Sequence, residues 1–163
     1  MKLVYIGKIA STHGLKGELK IRSNFEYKDK VFIEGNALVI DNKEYIIKSY
    51  RRHKDFDMVT LNDYKNINEV LFLVNKKVYI YKESSNISDI LLDEDLAKYS
   101  VIINDKVGSI EEIFFAGPTN KVIRVLINNK EVLIPFNKEF IKKIDRNKKE
   151  VYIELIDGMI IWK

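Results

Sequence analysis

The chain has 163 residues, 46% of them hydrophobic, with no cysteine and a net charge of +4 at pH 7. The composition excludes disulfides and thiolate metal sites, and no apolar run approaches the roughly 20 residues of a membrane-spanning helix. Because a strand-like pattern begins at once, without the organisation of a signal peptide, we expect a soluble cytoplasmic protein.

The positive charge is concentrated in the first half of the chain. Residues 1–83 hold 16 Lys and Arg against 11 Asp and Glu, a net +5, whereas residues 84–163 hold 12 against 13, a net −1. Clustered basic residues release counterions from RNA phosphates on binding. The first half is therefore the better candidate for RNA contact, although a mild excess of this kind also occurs in proteins that bind no RNA.

The first predicted elements are strands at residues 2–10 and 18–23. The run Leu3-Val4-Tyr5-Ile6 is apolar at every position, which is typical of a strand covered on both faces. In the second strand apolar and charged residues alternate, which indicates one buried and one charged face. The loop between the strands contains two residues that supply backbone freedom, Gly14 and Gly17.

Four further strands and one short helix are predicted in the first half. The strands are expected at residues 37–40, 44–50, 58–61 and 77–81. An apolar stripe indicates a helix near residues 66–73, and Asn66 and Glu69 have the spacing of a capping box. Six short strands in about 80 residues predict a small closed or nearly closed β-barrel.

The second half is also rich in predicted strands. A polar, serine-rich segment at residues 84–90 is interpreted as a linker between domains at residues 1–83 and 91–163. Strands are expected at residues 100–103, 107–115, 121–127, 131–135 and 151–156, with a helical or irregular turn within 136–144. The expected fold class is all-β, with two small barrels and short helical elements only.

The residues that could carry catalysis are few. His13 lies on the glycine-flanked loop without a paired nucleophile in the sequence, so we expect a structural histidine whose ring satisfies loop backbone groups. Gly14 and Gly17 precede a strand and not the helix of a phosphate-binding loop. Glu111 and Glu112 are adjacent on a strand and point to opposite faces. We predict no enzymatic activity, no cofactor and no metal.

Basic residues are the stronger functional candidates. Two groups are predicted to contact RNA or a particle that contains it: Lys16, Lys20 and Arg22 near the second strand, and Arg51, Arg52 and Lys54 at a strand end. Tyr50 and Phe56 lie near the second group and suit stacking on unpaired bases. The alternative interpretation is that these charges serve solubility and protect strand edges.

Twelve residues of the opening segment follow in order the opening pattern of one protein family: Gly7, Lys8, Ile9, His13, Gly14, Leu15, Lys16, Gly17, Glu18, Leu19, Lys20 and Ile21. In the second half, residues 131–136, 140–145, 151–153 and 157–160 fit that family's later motifs. The chain thus resembles the RimM family, bacterial factors that help mature the small ribosomal subunit. The resemblance covers nearly the whole chain. It implies a translation-factor-like six-stranded barrel followed by a PRC-barrel.

The chain departs from the family pattern at several positions. Thr12 stands where the family usually has Pro. At the start of the second domain, Leu91 and Leu92 replace a Tyr-Tyr pair linked with ribosomal binding in the family, and Asp93 replaces a Trp. Lys121 lies near the place of an expected acid. We expect Leu91 and Leu92 either to contact a partner protein or to pack on their own barrel.

The resemblance implies a non-catalytic assembly chaperone of the small ribosomal subunit. It implies binding through ribosomal protein nineteen of that subunit and promotion of head assembly and of 16S rRNA maturation. The basic residues of the first half make 16S rRNA a further candidate partner, and whether it is contacted directly is left open. The expected form is a monomer without membrane contact. The alternative is a general RNA-binding β-barrel that acts outside ribosome assembly. A third hypothesis, an enzyme, is disfavoured because the sequence offers no set of catalytic residues.

Overall fold

The computed structural model describes residues 1–155. The chain divides into two compact units, Met1–Ile90 and a second that begins at Leu91, and each is described by itself below. Within residues 1–155, no helix has both the length and the apolar character needed to cross a membrane.

The first unit is a closed six-stranded barrel. Its strands are β1 (Leu3–His13), β2 (Glu18–Arg22), β3 (Ala37–Ile40), β4 (Lys43–His53), β5 (Phe56–Leu61) and β6 (Lys77–Tyr81). They are hydrogen-bonded in the order β1-β2-β5-β4-β3-β6, and every neighbouring pair is antiparallel. The interior is filled by fully buried side chains that include Ile6, Ile9, Leu19, Ile21, Leu38 and Ile47. The barrel predicted for this half is confirmed.

The two faces of β1 differ from the prediction. Val4 and Ile6 are buried, whereas Leu3 is 38% and Tyr5 51% exposed. The expectation that both faces of this strand are covered is therefore wrong. In a closed barrel only the inner face of a strand is enclosed, so the apolar residues on the outer face of β1 remain in solvent.

Two short α-helices accompany the barrel. Helix α2 (Ile67–Val70) begins with the predicted capping box, in which the Asn66 side chain accepts from the Glu69 amide and the Glu69 carboxylate accepts from the Asn66 amide, both at 3.2 Å. It continues into a 3₁₀ turn, Leu71–Leu73. Helix α1 (Lys28–Val31) was not predicted, because it lacks a side-chain cap and is instead held by burial of Val31 and Phe32.

The segment interpreted as a linker, residues 84–90, lies within the first compact unit. Its first residue, Ser84, ends a 3₁₀ turn, Lys82–Ser84, and the segment contains Ile87, which is fully buried. The Asn86 side chain donates to the Lys30 carbonyl at 3.3 Å. These contacts attach the segment to the barrel, and the proposed division at residues 1–83, 84–90 and 91–163 stays a prediction.

The second unit is a six-stranded sheet preceded by helix α3 (Asp93–Leu96). The strands are β7 (Ser100–Ile103), β8 (Lys106–Phe115), β9 (Lys121–Ile127), β10 (Lys130–Pro135), β11 (Ile141–Asp145) and β12 (Glu150–Ile153). Their order is β10-β9-β8-β7-β12-β11, antiparallel except for the β12–β7 pair. All six strands pack on one apolar cluster, which includes Val101, Ile110, Ile123, Ile134, Ile144 and Val151. Because both edge strands reach the same cluster, the sheet curves around it.

Strand β11 lies where a helical or irregular turn was predicted. Residues 138–140 form a turn, and Ile141–Asp145 then pairs with β12. The two apolar residues of β11 are separated by two lysines, so the strand has no period-two alternation to reveal it. The last residue of the strand predicted at 151–156 and the family-like motif at 157–160 lie outside the described residues.

Candidate nucleic-acid interface

The pairing of β2, β5 and β4 brings the two predicted basic groups together. Lys20 on β2 lies opposite Met58 on β5, and Arg51 on β4 lies opposite the same Met58 from the other side. Directly opposed residues of antiparallel strands share a face of the sheet. Lys20 and Arg51 therefore flank Met58 on the barrel wall, although 31 positions separate them in the sequence.

Phe56 holds two cations side by side on this surface. The Lys20 Nζ lies 4.2 Å and the Arg22 Cζ 5.4 Å from the centroid of the Phe56 ring. Both distances are within the range of cation–π attraction. The Phe56 ring, which is predicted to stack on unpaired bases, is in contact with both of these cations.

Arg51 is paired with Glu18 across the barrel surface. Its Nε and Nη2 donate to the two carboxylate oxygens of Glu18 at 2.9 and 2.7 Å, a bidentate geometry. The hydrogen bonds from Arg51 lower the pKa of the Glu18 carboxyl. The Arg51 side chain is 49% exposed, so Arg51 still presents charge to solvent.

His13 meets the other histidine of the chain, His53, which the sequence places in the basic stretch Arg51-Arg52-His53-Lys54. Strand β1 continues to His13, which lies opposite Glu18, and the His13 and His53 ring centroids are 5.4 Å apart. Partial desolvation, then the neighbouring Arg51, His13, Lys54 and Lys20, lower the pKa of His53. His13 is the last residue of β1, directly before the loop, and its ring lies against His53. The structural role expected for its ring stays a prediction.

Strand alternation separates Arg52 from its neighbour Arg51. Arg52 lies opposite Asp57, and its Nη1 is 3.4 Å from the Asp57 Oδ1. Asp57 is fully buried; the Tyr50 hydroxyl donates to it at 2.6 Å and the Lys28 Nζ lies 3.0 Å from its Oδ2. Burial and the bond to Asp57 raise the pKa of Tyr50 to about 12. Arg52 and Tyr50 thus hold a buried carboxylate, which the sequence did not indicate.

The remaining candidates lie on exposed turns. Lys54 occupies the turn between β4 and β5 with φ +55°, and Lys16 lies in the turn bounded by Gly14 and Gly17. Gly17, at φ +87°, permits close approach of the Asn66 carbonyl, because a Cβ there would be 3.0 Å from that oxygen. We define the basic face as the strand and turn residues His13, Lys16, Lys20, Arg22, Arg51, His53, Lys54 and Phe56.

In the second unit, Leu91 and Leu92, the residues that replace the family's tyrosine pair, are wholly or partly buried. Leu92 is only 5% exposed, and Leu91 is partly buried against the apolar cluster of the sheet. The neighbouring Asp93 pairs with Lys121 at 2.7 Å, and the Lys121 Nζ lies 5.0 Å from the centroid of the Phe136 ring. The two residues that depart from the family pattern at these places therefore contact each other.

Comparison with known proteins follows the same division of the chain. The family model of the RimM N-terminal domain matches residues 4–85, and that of the RimM PRC barrel domain matches residues 93–159, which identifies the curved second sheet as a PRC barrel domain. The ribosome maturation factor RimM of Staphylococcus aureus strain JH9 is 31% identical over 169 residues, covering 96% of this chain and 98% of the relative. The RimM of strain USA300 gives the same values.

A solved structure also resembles the chain. The solution structure of the N-terminal domain of RimM from Thermus thermophilus matches with a TM-score of 0.44 and 22% sequence identity. The match covers 56% of this chain and 98% of that domain.

Proposed function

Since the chain belongs to the RimM family of ribosome maturation factors, we propose that it binds the immature small ribosomal subunit and promotes its assembly without catalysing a reaction. Two acids near the basic face, Glu18 and Asp57, support a non-catalytic role, because both are held in structural pairs. Glu18 is bonded to Arg51, and Asp57 is held by Tyr50 and Lys28. The place of action that we propose is the cytoplasm, and the active form a monomer.

The basic face is the surface that we propose for contact with 16S rRNA. The observation that carries this proposal is the placement of Lys20 and Arg22 over Phe56, beside Arg51, on three adjacent strands. Cations held on a rigid strand surface bind phosphates without first losing much side-chain freedom. Lys16 and Lys54 extend the positive surface at its turns.

The second unit is the part that we propose for the protein partner, ribosomal protein nineteen of the small subunit, and for promotion of head assembly. Of the predicted leucine pair, Leu91 retains exposed surface and Leu92 is buried. Leu91 is therefore the contact candidate of the pair, and Leu92 belongs to the core.

Sedimentation of the full-length protein with ribosomal particles tests the proposed function. We expect co-sedimentation with immature small subunits and not with mature ones. The K20A/R22A variant should bind several-fold more weakly and with a flatter salt dependence, because fewer counterions are released. The matched control is K138A/K142A, which removes two exposed lysines of the second unit. Equal binding of K20A/R22A and wild type at every salt concentration would overturn the role of the basic face.

A general RNA-binding protein acting outside ribosome assembly is the second candidate function. It is favoured by one observation: the basic face lies wholly within the first unit, so RNA contact there needs no partner protein. Competition distinguishes the two. Unstructured RNA that displaces immature subunits at equal nucleotide concentration supports the general binder, whereas persistence of the subunit complex supports the maturation factor.

A further inference from the structure

A tyrosine pair lies on the outer face of β1 and β6, beyond the basic face. Tyr5, which is exposed, and Tyr79, which is half-buried, are directly opposed, and their ring centroids are 5.7 Å apart at an interplanar angle of 70°. Next to them Leu3, also exposed, lies opposite Tyr81. The barrel interior behind them is already filled by Val4 and its neighbours. Core packing therefore does not explain why aromatic side chains, Tyr5 and Tyr79, occupy these positions on the outer face.

A row of three cations runs beside the tyrosine pair. Lys8 on β1 lies opposite Lys77 on β6 and opposite Arg22 on β2, so the three side chains share the outer face. Lys8 and Lys77 are exposed, and neither takes part in an ion pair among residues 1–155. Because Arg22 rests on Phe56, the row joins the tyrosine pair to the basic face without a break.

A groove of about 360 Å³ opens beside Tyr79. It is lined by Leu3 and Tyr79 and by two asparagines, Asn42 and Asn75, which occupy left-handed turns at φ +64° and +69°. Asparagine amides carry both donors and acceptors, as the edges of nucleobases do. The carboxylate that lines the groove, Asp41, is neutralised by Lys76 at 3.0 Å. The volume falls within the roughly 300–1,000 Å³ of small-ligand sites.

We propose that this surface, the tyrosine platform (Leu3, Tyr5, Lys8, Asn42, Asn75, Lys77 and Tyr79), binds unpaired nucleotides of single-stranded RNA. One base stacks on the Tyr5–Tyr79 pair, a neighbouring base enters the groove, and the intervening phosphates contact the Lys8–Lys77–Arg22 row. Aromatic rings combined with a line of cations suit single-stranded nucleic acid. A duplex keeps its base faces stacked inside, and an apolar peptide would leave the lysine row without a counter-charge.

The inference rests on the proposed function and deepens it by naming the form of the RNA. Binding along the platform would begin at the tyrosines and continue through Arg22 onto the basic face. A segment of the immature subunit must therefore be unpaired where it meets β1 and β6.

Fluorescence anisotropy of the full-length protein with a labelled uridine RNA of about ten nucleotides, near the single-strand site size of small barrels, tests the inference. We expect Y5A/Y79A to weaken binding about 5- to 150-fold, the range for loss of one stacked base. Y79F, which keeps the ring, and F72A, which removes a comparably exposed ring elsewhere on the first unit, should stay close to wild type. K8A/K77A should reduce the slope of log K against log salt by about 1.4, for two single-strand phosphates.

The platform is ruled out if Y5A/Y79A, folded as judged by its thermal midpoint, binds the uridine RNA as wild type does. Equal losses on the single strand and on a duplex of the same length would also overturn it. If the variant keeps its RNA affinity but loses immature subunits, the surface contacts protein and the RNA assignment is wrong. In each of these cases, if the wild-type protein still co-sediments with immature subunits, the proposed function is retained and only the platform is rejected.

Discussion

Asp57 is a buried charge whose partners come from different elements. Tyr50 and Arg52 reach it from β4, and Lys28 reaches it from α1. A carboxylate without solvent is tolerated only when it is paired and hydrogen-bonded. Since α1 has no side-chain cap, the Lys28–Asp57 pair also anchors that helix to the barrel.

Substitution D57N should lower the free energy of unfolding by about 1–3 kcal/mol, because Tyr50, Arg52 and Lys28 lose their common acceptor charge. Urea denaturation followed by circular dichroism measures it. D55N, in the exposed turn two residues earlier, is the matched control and should change stability little. An unfolding free energy for D57N equal to that of wild type would show that the cluster contributes no stability.

His53 makes the stability of the protein depend on pH. Its pKa is lowered from 6.5 in the folded chain, so below pH 6.5 the unfolded chain binds more protons than the folded one. Stability from this group is therefore present above pH 6.5 and falls as the pH falls through the folded pKa. Charged and titratable groups face it from every neighbouring element: His13 on β1, Glu18 and Lys20 on β2, Arg51 on β4, and Lys54 in the turn.

The variant H53Q should lose less stability than wild type when the pH is lowered from about 7.5 to about 5.5, a range that spans the ordinary histidine pKa. Urea midpoints at the two pH values measure the difference, and the range stays above the titration of Glu18, whose pKa is lowered from 4.5. If both proteins lose the same stability, His53 is not the group that titrates.

At the scale of elements, the turn between β1 and β2 is built against the start of α2. The Ile67 amide donates to the Leu15 carbonyl at 2.9 Å, and Gly17 brings the turn under the Asn66 backbone. The capping box of Asn66 and Glu69 then orders the first turn of the helix. The turn and the helix thus form one packed corner of the barrel.

The two glycines of this turn give a matched comparison. G14A is strained only by its backbone angle, φ +73°, since the described structure leaves open space around a Cβ there; a loss of about 1–2 kcal/mol is expected. G17A has a similar angle and also places its Cβ 3.0 Å from the Asn66 oxygen, so its loss should be larger. Thermal unfolding measures both. If G14A and G17A lose the same stability, the turn can move away from α2 without a loss of free energy.

In the second unit, the Asp93–Lys121 pair joins α3 to β9. Lys121 is 12% and Asp93 37% exposed at their side chains, so the pair is partly shielded from water. A double-mutant cycle with D93N and K121M should give a coupling energy of about 0.5–3 kcal/mol in unfolding. Strictly additive losses would indicate that the two side chains do not stabilise each other.

At the scale of the whole molecule, charge is distributed unevenly between the two units. The basic face and the tyrosine platform both lie in the first unit, and the net positive charge of the chain lies in residues 1–83. We therefore expect RNA affinity and its salt dependence to come from the first unit.

This separation is tested by charge removal in each unit of the full-length protein. K8A/K20A/R22A should reduce the slope of log K against log salt for single-stranded RNA by about 2. Each lost phosphate contact accounts for roughly 0.7 of that slope. K138A/K142A/K148A, which removes three exposed lysines of the second unit, should leave the slope unchanged. Equal changes in slope would show that RNA spans both units.

Local patterns in the sequence were sufficient to predict most of the helices and strands. Strands β3, β6, β7 and β9 begin and end where alternation and turn residues placed them, and the capping box of α2 was readable from two residues. Such features depend on neighbours a few positions apart, so a sequence displays them directly. The PRC barrel was implied by the resemblance of the second half to the RimM family, whose motifs it follows in order.

Only the tertiary structure decided which side chains meet. Arg51 bonds to Glu18 across 33 positions, His13 lies against His53, and the register of β1 with β6 aligns Tyr5 with Tyr79. These contacts depend on strand order and register between distant segments, and closure of the barrel also determined which face of β1 stays exposed. The sequence by itself determined most of the strands, their turns and the family. The basic face and the tyrosine platform exist because barrel closure brings those strands together.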